Sequence, residues 1–97
     1  MDFPILVRGE SVDREPFHEE TFTVTVSAHG ALLMMATKVA MGQSVTLMNA
    51  ARNEREGRIS YLGRDHAGLA QVGIEFLRPA PDFWPIDSPP SSWKSPS

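Results

Sequence analysis

The chain has no cysteine, which excludes disulfides and thiolate zinc sites and suits a reducing compartment. It has no basic surplus either: nine Lys and Arg stand against twelve Asp and Glu, a formal charge of -3. A general nucleic-acid binder carries the opposite balance. No apolar run approaches the length of a membrane span. The start, MDFPILVRGE, has an acid at position two and only a short apolar stretch, unlike a secretory signal. These absences fit a cytoplasmic protein that neither enters a membrane nor coats a polynucleotide. No internal repeat is visible. Ninety-seven residues with 41% hydrophobic content make one domain, able to bury roughly two thirds of its unfolded surface.

What is present is alternation. In residues 21–26, Phe22, Val24 and Val26 fall on one face and Thr21, Thr23 and Thr25 on the other, the period of two of a half-buried strand. Val45 and Leu47 oppose Thr46 and Met48; Ile59 and Tyr61 oppose Arg58 and Ser60. Ala70, Val72, Ile74 and Phe76 oppose Gln71, Gly73 and Glu75 in the cleanest strand pattern of the chain. Ile5-Leu6-Val7 gives a short first strand, preceded by Pro4 and closed by Gly9. Residues 31–36 are continuously apolar, consistent either with a helix favoured by Ala, Leu and Met or with a buried strand entered from a glycine turn. Turns are expected at residues 9–16, at Gly42, at residues 50–53 and at residues 63–68, which contain Arg64-Asp65-His66. Short strands at regular spacing argue for a small antiparallel barrel or sandwich.

The composition then changes. Six of the eight prolines lie from Pro79 onward, with no glycine, so neither a central strand nor a long helix fits there. One helical turn is expected over residues 81–86, with Phe83 or Trp84 laid on the barrel. Trp93 is a further candidate for docking, and the residues after it should fray.

No catalytic constellation emerges. His18, His29 and His66 have no metal-ligand spacing. Ser27 lacks the glycine that precedes the serine of a nucleophile elbow, and Glu19 and Glu20 point to opposite strand faces. Arg52, Arg55 and Arg58 are interrupted by Glu54 and Glu56 and read as a solvated mixed-charge edge. The corner Ser27-Ala28-His29-Gly30 is the one local feature with binding chemistry. It joins a hydroxyl, backbone N–H groups and a glycine that permits close approach, and it serves to hold an anion or simply to turn the chain. Arg8 and Arg14 flank a loop from which they reach this corner if the first two strands pair as a hairpin.

The run Thr25-Val26-Ser27-Ala28-His29-Gly30-Ala31-Leu32-Leu33 resembles the PilZ domain, whose corner carries Asp or Asn, any residue, Ser, two residues and Gly. Val39-Ala40-Met41-Gly42-Gln43-Ser44-Val45-Thr46-Leu47 is similar to the family's next turn and strand. Val72-Gly73-Ile74-Glu75-Phe76-Leu77 is similar to its last strand. Pro79-Ala80-Pro81-Asp82-Phe83-Trp84 with Trp93 looks like a tail seen in some members. The resemblance runs from about residue 5 to 93. It implies an all-β fold, a six-stranded antiparallel PilZ-like barrel over residues 1–88, with a short helical turn leading into a Pro/Ser-rich tail at 89–97. It also tips residues 31–35 toward strand.

The resemblance further implies bacterial second-messenger signalling. PilZ domains bind cyclic di-GMP through the Ser-Gly corner and through an Arg pair before the first strand, whose guanidinium groups grip phosphates and stack on guanines. Here Thr25 takes the Asp/Asn position, and the Arg pair has no counterpart because Met1 stands directly before the first strand. Charge-assisted hydrogen bonds contribute about 1.5–3 kcal/mol each, and micromolar binding needs about 8 kcal/mol. The expectation is therefore a non-catalytic regulatory module, without metal or cofactor, acting on a bacterial protein partner. The alternative is a cyclic di-GMP receptor using Thr25, Ser27, His29 and Gly30 with Arg8 or Arg14. An oligonucleotide-binding barrel ranks below both.

Overall fold

A computed structural model describes residues 3–84. Six strands follow in order: β1 (Pro4–Glu10), β2 (Pro16–Ser27), β3 (Gly30–Met35), β4 (Ser44–Met48), β5 (Glu54–His66) and β6 (Leu69–Phe76). They close into an antiparallel barrel in the order β1-β2-β3-β6-β5-β4, with β4 pairing back onto β1. The all-β expectation and the count of six strands hold. Among the described residues there is no helix. Residues 81–84 form a turn in which the Phe83 N–H bonds the Ala80 carbonyl at 3.1 Å, so this part of the expected helical turn is not helical. Residues 85–86 and Trp93 lie outside the described residues.

The ambiguous apolar run is a strand because both of its edges are used. β3 pairs with β2 on one side and β6 on the other, and ladder partners on both sides outweigh the helix propensity of Ala, Leu and Met. Leu33 and Met35 turn inward and join Ile5, Val7, Val45, Leu47, Ile59, Val72 and Ile74 in the core. The expected faces of β4 and β6 hold: Val45 and Leu47 are buried, as are Val72, Ile74 and Phe76.

Two expected faces are overturned by bulges. In β2 the register passes from Thr23 opposite Leu33 to Thr25 opposite Leu32, so Val24 is the extra residue and the strand reverses its faces there. Thr23 is therefore buried and Phe22 is 61% exposed, while Val26 still packs on the core. The buried hydroxyl is satisfied: Thr23 Oγ1 accepts the Phe3 N–H at 2.9 Å, and the Thr23 N–H bonds the Phe3 carbonyl at 3.0 Å. In β5 the register passes from Ile59 opposite Ile74 to Tyr61 opposite Gly73. Ser60 is the extra residue, so Ile59 is buried while Tyr61 faces solvent. The expected turn over residues 63–68 is also shorter. β5 continues to His66, and only Ala67 and Gly68, with φ of 55° and 85°, make the reversal, the two-residue geometry that suits strand twist.

Successive turns alternate between the two ends of the barrel. One end carries the β2–β3 and β4–β5 turns; the other carries the β1–β2 turn, the β3–β4 loop and the β5–β6 hairpin. Residues 77–84 fold back across the first of these ends. Phe83 and Trp84 are both buried there. The Phe83 ring lies edge-on to Phe76 at 5.3 Å and to Trp84 at 4.9 Å, and Trp84 stacks on Phe3 at 5.9 Å.

Candidate functional site at the turn between β2 and β3

Ser27 and Gly30 are paired across the end of the β2–β3 ladder, and Ala28 and His29 make the turn. Gly30 is required by proximity. A Cβ built on it would lie 1.9 Å from the Ile74 carbonyl oxygen and 2.9 Å from the Ile74 carbonyl carbon, so only hydrogen allows β3 to approach β6 here. The corner expected from the sequence is thus formed.

Its carbonyls are already engaged within the protein. Ser27 Oγ accepts the His29 N–H at 3.1 Å. The indole Nε1–H of Trp84 donates to the Ser27 carbonyl at 2.8 Å, and the Ala80 N–H donates to the Ala28 carbonyl at 2.7 Å. The Phe76 N–H donates to the His29 carbonyl at 2.7 Å. Ala28 is fully buried beneath the tail. Asn49, in the neighbouring β4–β5 turn, holds the tail from the other side. Its Nδ2 donates to the Phe83 carbonyl at 2.6 Å, while its Oδ1 accepts the Asn53 N–H at 3.0 Å. Arg55 completes this end, with its guanidinium carbon 6.0 Å from the Phe83 ring centre.

Outside the corner is a shallow cleft of about 340 Å³ whose polar lining includes Thr25, Ser27, His29, Ser60 and Glu75. No Lys or Arg is among the described residues that line it. Glu75 is the cross-strand partner of Gly30, which puts a carboxylate in the row where an anionic ligand would approach and adds repulsion. Arg58, cross-strand from Glu75 on β5, is the cation nearest to this row in the sheet order.

Arg8 and Arg14 are not brought to the corner. β1 and β2 do pair as a hairpin, but Arg8 stands opposite His18. That is nine residues up β2 from Ser27, or about 30 Å of strand. Arg8 Nη2 instead meets Glu54 Oε1 at 2.6 Å. Arg14 sits in the β1–β2 turn with φ of 63° and lines a depression with Glu10 and Gln43 at the opposite end of the barrel. Of the six residues singled out from the sequence, the structure gathers Thr25, Ser27, His29 and Gly30 and separates both arginines from them.

The residues that sequence reasoning missed are Asn49 and Ala80, which hold the tail against the corner. Phe83 and Trp84, two large apolar residues among prolines, did signal docking; nothing local marks Asn49. Among the described residues no group of three His, Asp or Glu is placed to hold a metal ion. No described helix is long and apolar enough to cross a membrane.

Comparisons with protein-family models, with curated proteins and with solved structures return no match.

Proposed function

We propose that this chain is a non-catalytic regulatory module of the PilZ kind, working in the bacterial cytoplasm through contacts with a protein partner rather than by gripping cyclic di-GMP. The closed six-stranded barrel and the Ser27–Gly30 turn support the resemblance in shape. One observation carries the preference against the nucleotide. The cleft beside Ser27 is lined by Glu75 and by no cation among the described residues. A doubly anionic ligand placed there would meet a carboxylate in the lining, with the nearest cation, Arg58, one strand beyond Glu75 and outside that lining.

Calorimetric titration of the whole chain with cyclic di-GMP tests this reading. The expected result is no saturable heat at ligand concentrations up to about 100 μM, since micromolar affinity requires about 8 kcal/mol. Saturable binding that Ser27→Ala weakens at least tenfold would overturn it in favour of a receptor.

A further inference from the structure

A second cleft of about 480 Å³ lies on the outer face of β1, between β2 and the β4–β5 turn. Pro4, Leu6, Phe22 and Met48 supply its apolar lining, with Glu20 and Asn49 also lining it. Leu6 pairs with Glu20 on one side and with Met48 on the other, and Pro4 pairs with Phe22. The last described residues, Phe83 and Trp84, stand at the rim of this cleft. The Phe83 carbonyl accepts from Asn49, one of the lining residues, at 2.6 Å. The Trp84 ring stacks at 5.9 Å on Phe3, the neighbour of Pro4 in the chain. The chain that follows Trp84 therefore starts beside the cleft.

The exposure of Phe22 follows from the construction of the strand. The bulge at Val24 turns Phe22 out and Thr23 in. Tyr61, also half exposed, has an internal reason for its place. Gly73 leaves room for it, since a Cβ there would come 2.8 Å from the Tyr61 Cβ. Phe22 has no ring contact among the described residues and stands at the edge of an open cleft. Glu20 shares the exposed face of β2 with Phe22, two residues away. It forms no ion pair among the described residues, where the pairs are Arg8–Glu54 and Lys38–Asp65.

We propose that this cleft is the docking site of the chain's own tail, with Trp93 seated against Phe22 and Met48. Residues 85–97 hold Pro85, Pro89, Pro90 and Pro96 and a single aromatic side chain, Trp93. A proline-rich segment loses little conformational entropy when it lies in an apolar groove. An indole ring gains from a neighbouring ring and from a thioether, which Phe22 and Met48 supply. Lys94 follows Trp93 directly, and Glu20 is about 7 Å from Phe22 along β2. Trp93 on Phe22 thus brings an ammonium group within reach of that carboxylate. Trp93 lies nine residues beyond Trp84, a reach of about 28 Å even as an extended polyproline segment, so the tether is long enough. A short tether also holds its end at a millimolar effective concentration, enough to fill a shallow site that a separate peptide would occupy weakly. The docked tail would carry the strap begun by Phe83 and Trp84 from the end of the barrel onto the outer face of β1. This contact is independent of the reading given to the β2–β3 corner.

NMR of the whole chain with isotope-labelled tryptophan indoles tests the proposal. The Trp93 indole should show NOEs to the Phe22 ring and the Met48 methyl group, unchanged on dilution. Phe22→Ala should abolish them and move the Trp93 indole N–H to the position of a solvated tryptophan. Trp93→Ser, beyond the six strands in sequence, should in turn shift the Phe22 and Met48 resonances, which keeps the test decisive if Phe22→Ala fails to fold. Glu20→Lys should weaken the NOEs, and the double variant Glu20→Lys/Lys94→Glu should restore them. A solvated Trp93 in the whole chain, whatever else fills the cleft, overturns the proposal. So do NOEs that fade on dilution, which assign the cleft to another copy's tail, a Trp93 indifferent to Phe22→Ala, or a double variant no better than Glu20→Lys.

Discussion

At one end of the barrel Phe3, Phe76, Phe83 and Trp84 continue the core outward, with ring centres 4.9 to 6.0 Å apart. At the other end the fastenings are polar and mostly exposed. Lys38 pairs with Asp65, Gln43 Nε2 donates to the Glu10 carbonyl, and the Glu19 carboxylate takes the N–H groups of Ala36 and Thr37 at 2.7 and 2.8 Å. Aromatic pairs add about 0.5–1.5 kcal/mol each beyond the area they bury, while exposed ion pairs contribute about 0–1 kcal/mol. The difference bears on function. The Ser27–Gly30 corner belongs to the aromatic end, so its carbonyls are taken by Phe76, Ala80 and Trp84. Of the arginines that the sequence offered as its cationic partners, Arg14 belongs to the polar end, and Arg8, within β1, is taken by Glu54.

The sharpest way to break this comparison is to place the same methyl group at one glycine from each end. Gly30→Ala drives a Cβ into the Ile74 carbonyl at 1.9 Å. A loss above about 4 kcal/mol is expected, or no cooperative urea transition at all, because backbone must move. Gly68→Ala, with nothing within 4 Å of its added Cβ but with φ of 85°, should cost only about 1–2 kcal/mol of left-handed strain. Equal losses would mean that β3 and β6 are not so closely apposed.

Side-chain truncation gives the next contrast. Phe83→Ala removes a ring buried among Phe76 and Trp84 and should cost about 3–5 kcal/mol. Val12→Ala, at the polar end and 53% exposed, should stay within about ±0.5 kcal/mol. Denaturant midpoints of the two variants check this, and a mild Phe83→Ala would show that the tail contributes little to the barrel.

Asn49→Ala tests the polar side of the aromatic end. It strips the Phe83 carbonyl of its donor and the Asn53 N–H of its acceptor. A loss of about 1–3 kcal/mol is expected, and Trp84 emission should shift to the red if the tail loosens. Unchanged emission and stability would assign the tail's position to the rings alone.

The smallest effect is at the hairpin. The Lys38 ammonium bonded to Asp65 holds its carboxyl below the ordinary value of 3.8, with the Gly68 N–H at 3.0 Å acting in the same direction. A lowered folded-state pKa gives stabilisation that is present above pH 3.8 and is lost as the pH falls through the folded value. Because the group is exposed, the effect should be visible as a carboxyl titration by NMR rather than as a change in melting. Lys38→Ala should raise the Asp65 pKa toward its ordinary value; no movement would mean that the Gly68 N–H alone holds the carboxylate.

Five strands were legible because alternation and turn residues are local signals, whereas β3, continuously apolar, shows itself a strand only through its pairing with β2 and β6. Val45 and Leu47 could be assigned to the core from their spacing, as could Val72, Ile74 and Phe76. Phe22 and Tyr61 could not. Each sits beside a bulge, and a bulge is a mismatch in register between two strands, which neither strand's own sequence displays. The corner was legible as a turn, because Ser, Gly and their spacing are contiguous. Its occupancy was not, because Ala80 and Trp84 reach it from more than fifty residues away.

The sequence by itself determined five alternating strands and a turn at Ser27–Gly30 whose glycine permits close approach, since period-two burial and backbone sterics act over a few residues. Only the tertiary structure decided which side of the two bulged strands meets the core, how far Arg8 and Arg14 lie from Ser27, and that the tail takes the corner's acceptors. Those outcomes depend on cross-strand register and on the path of the chain after β6, and such distances are set by closing the barrel rather than by neighbours in sequence.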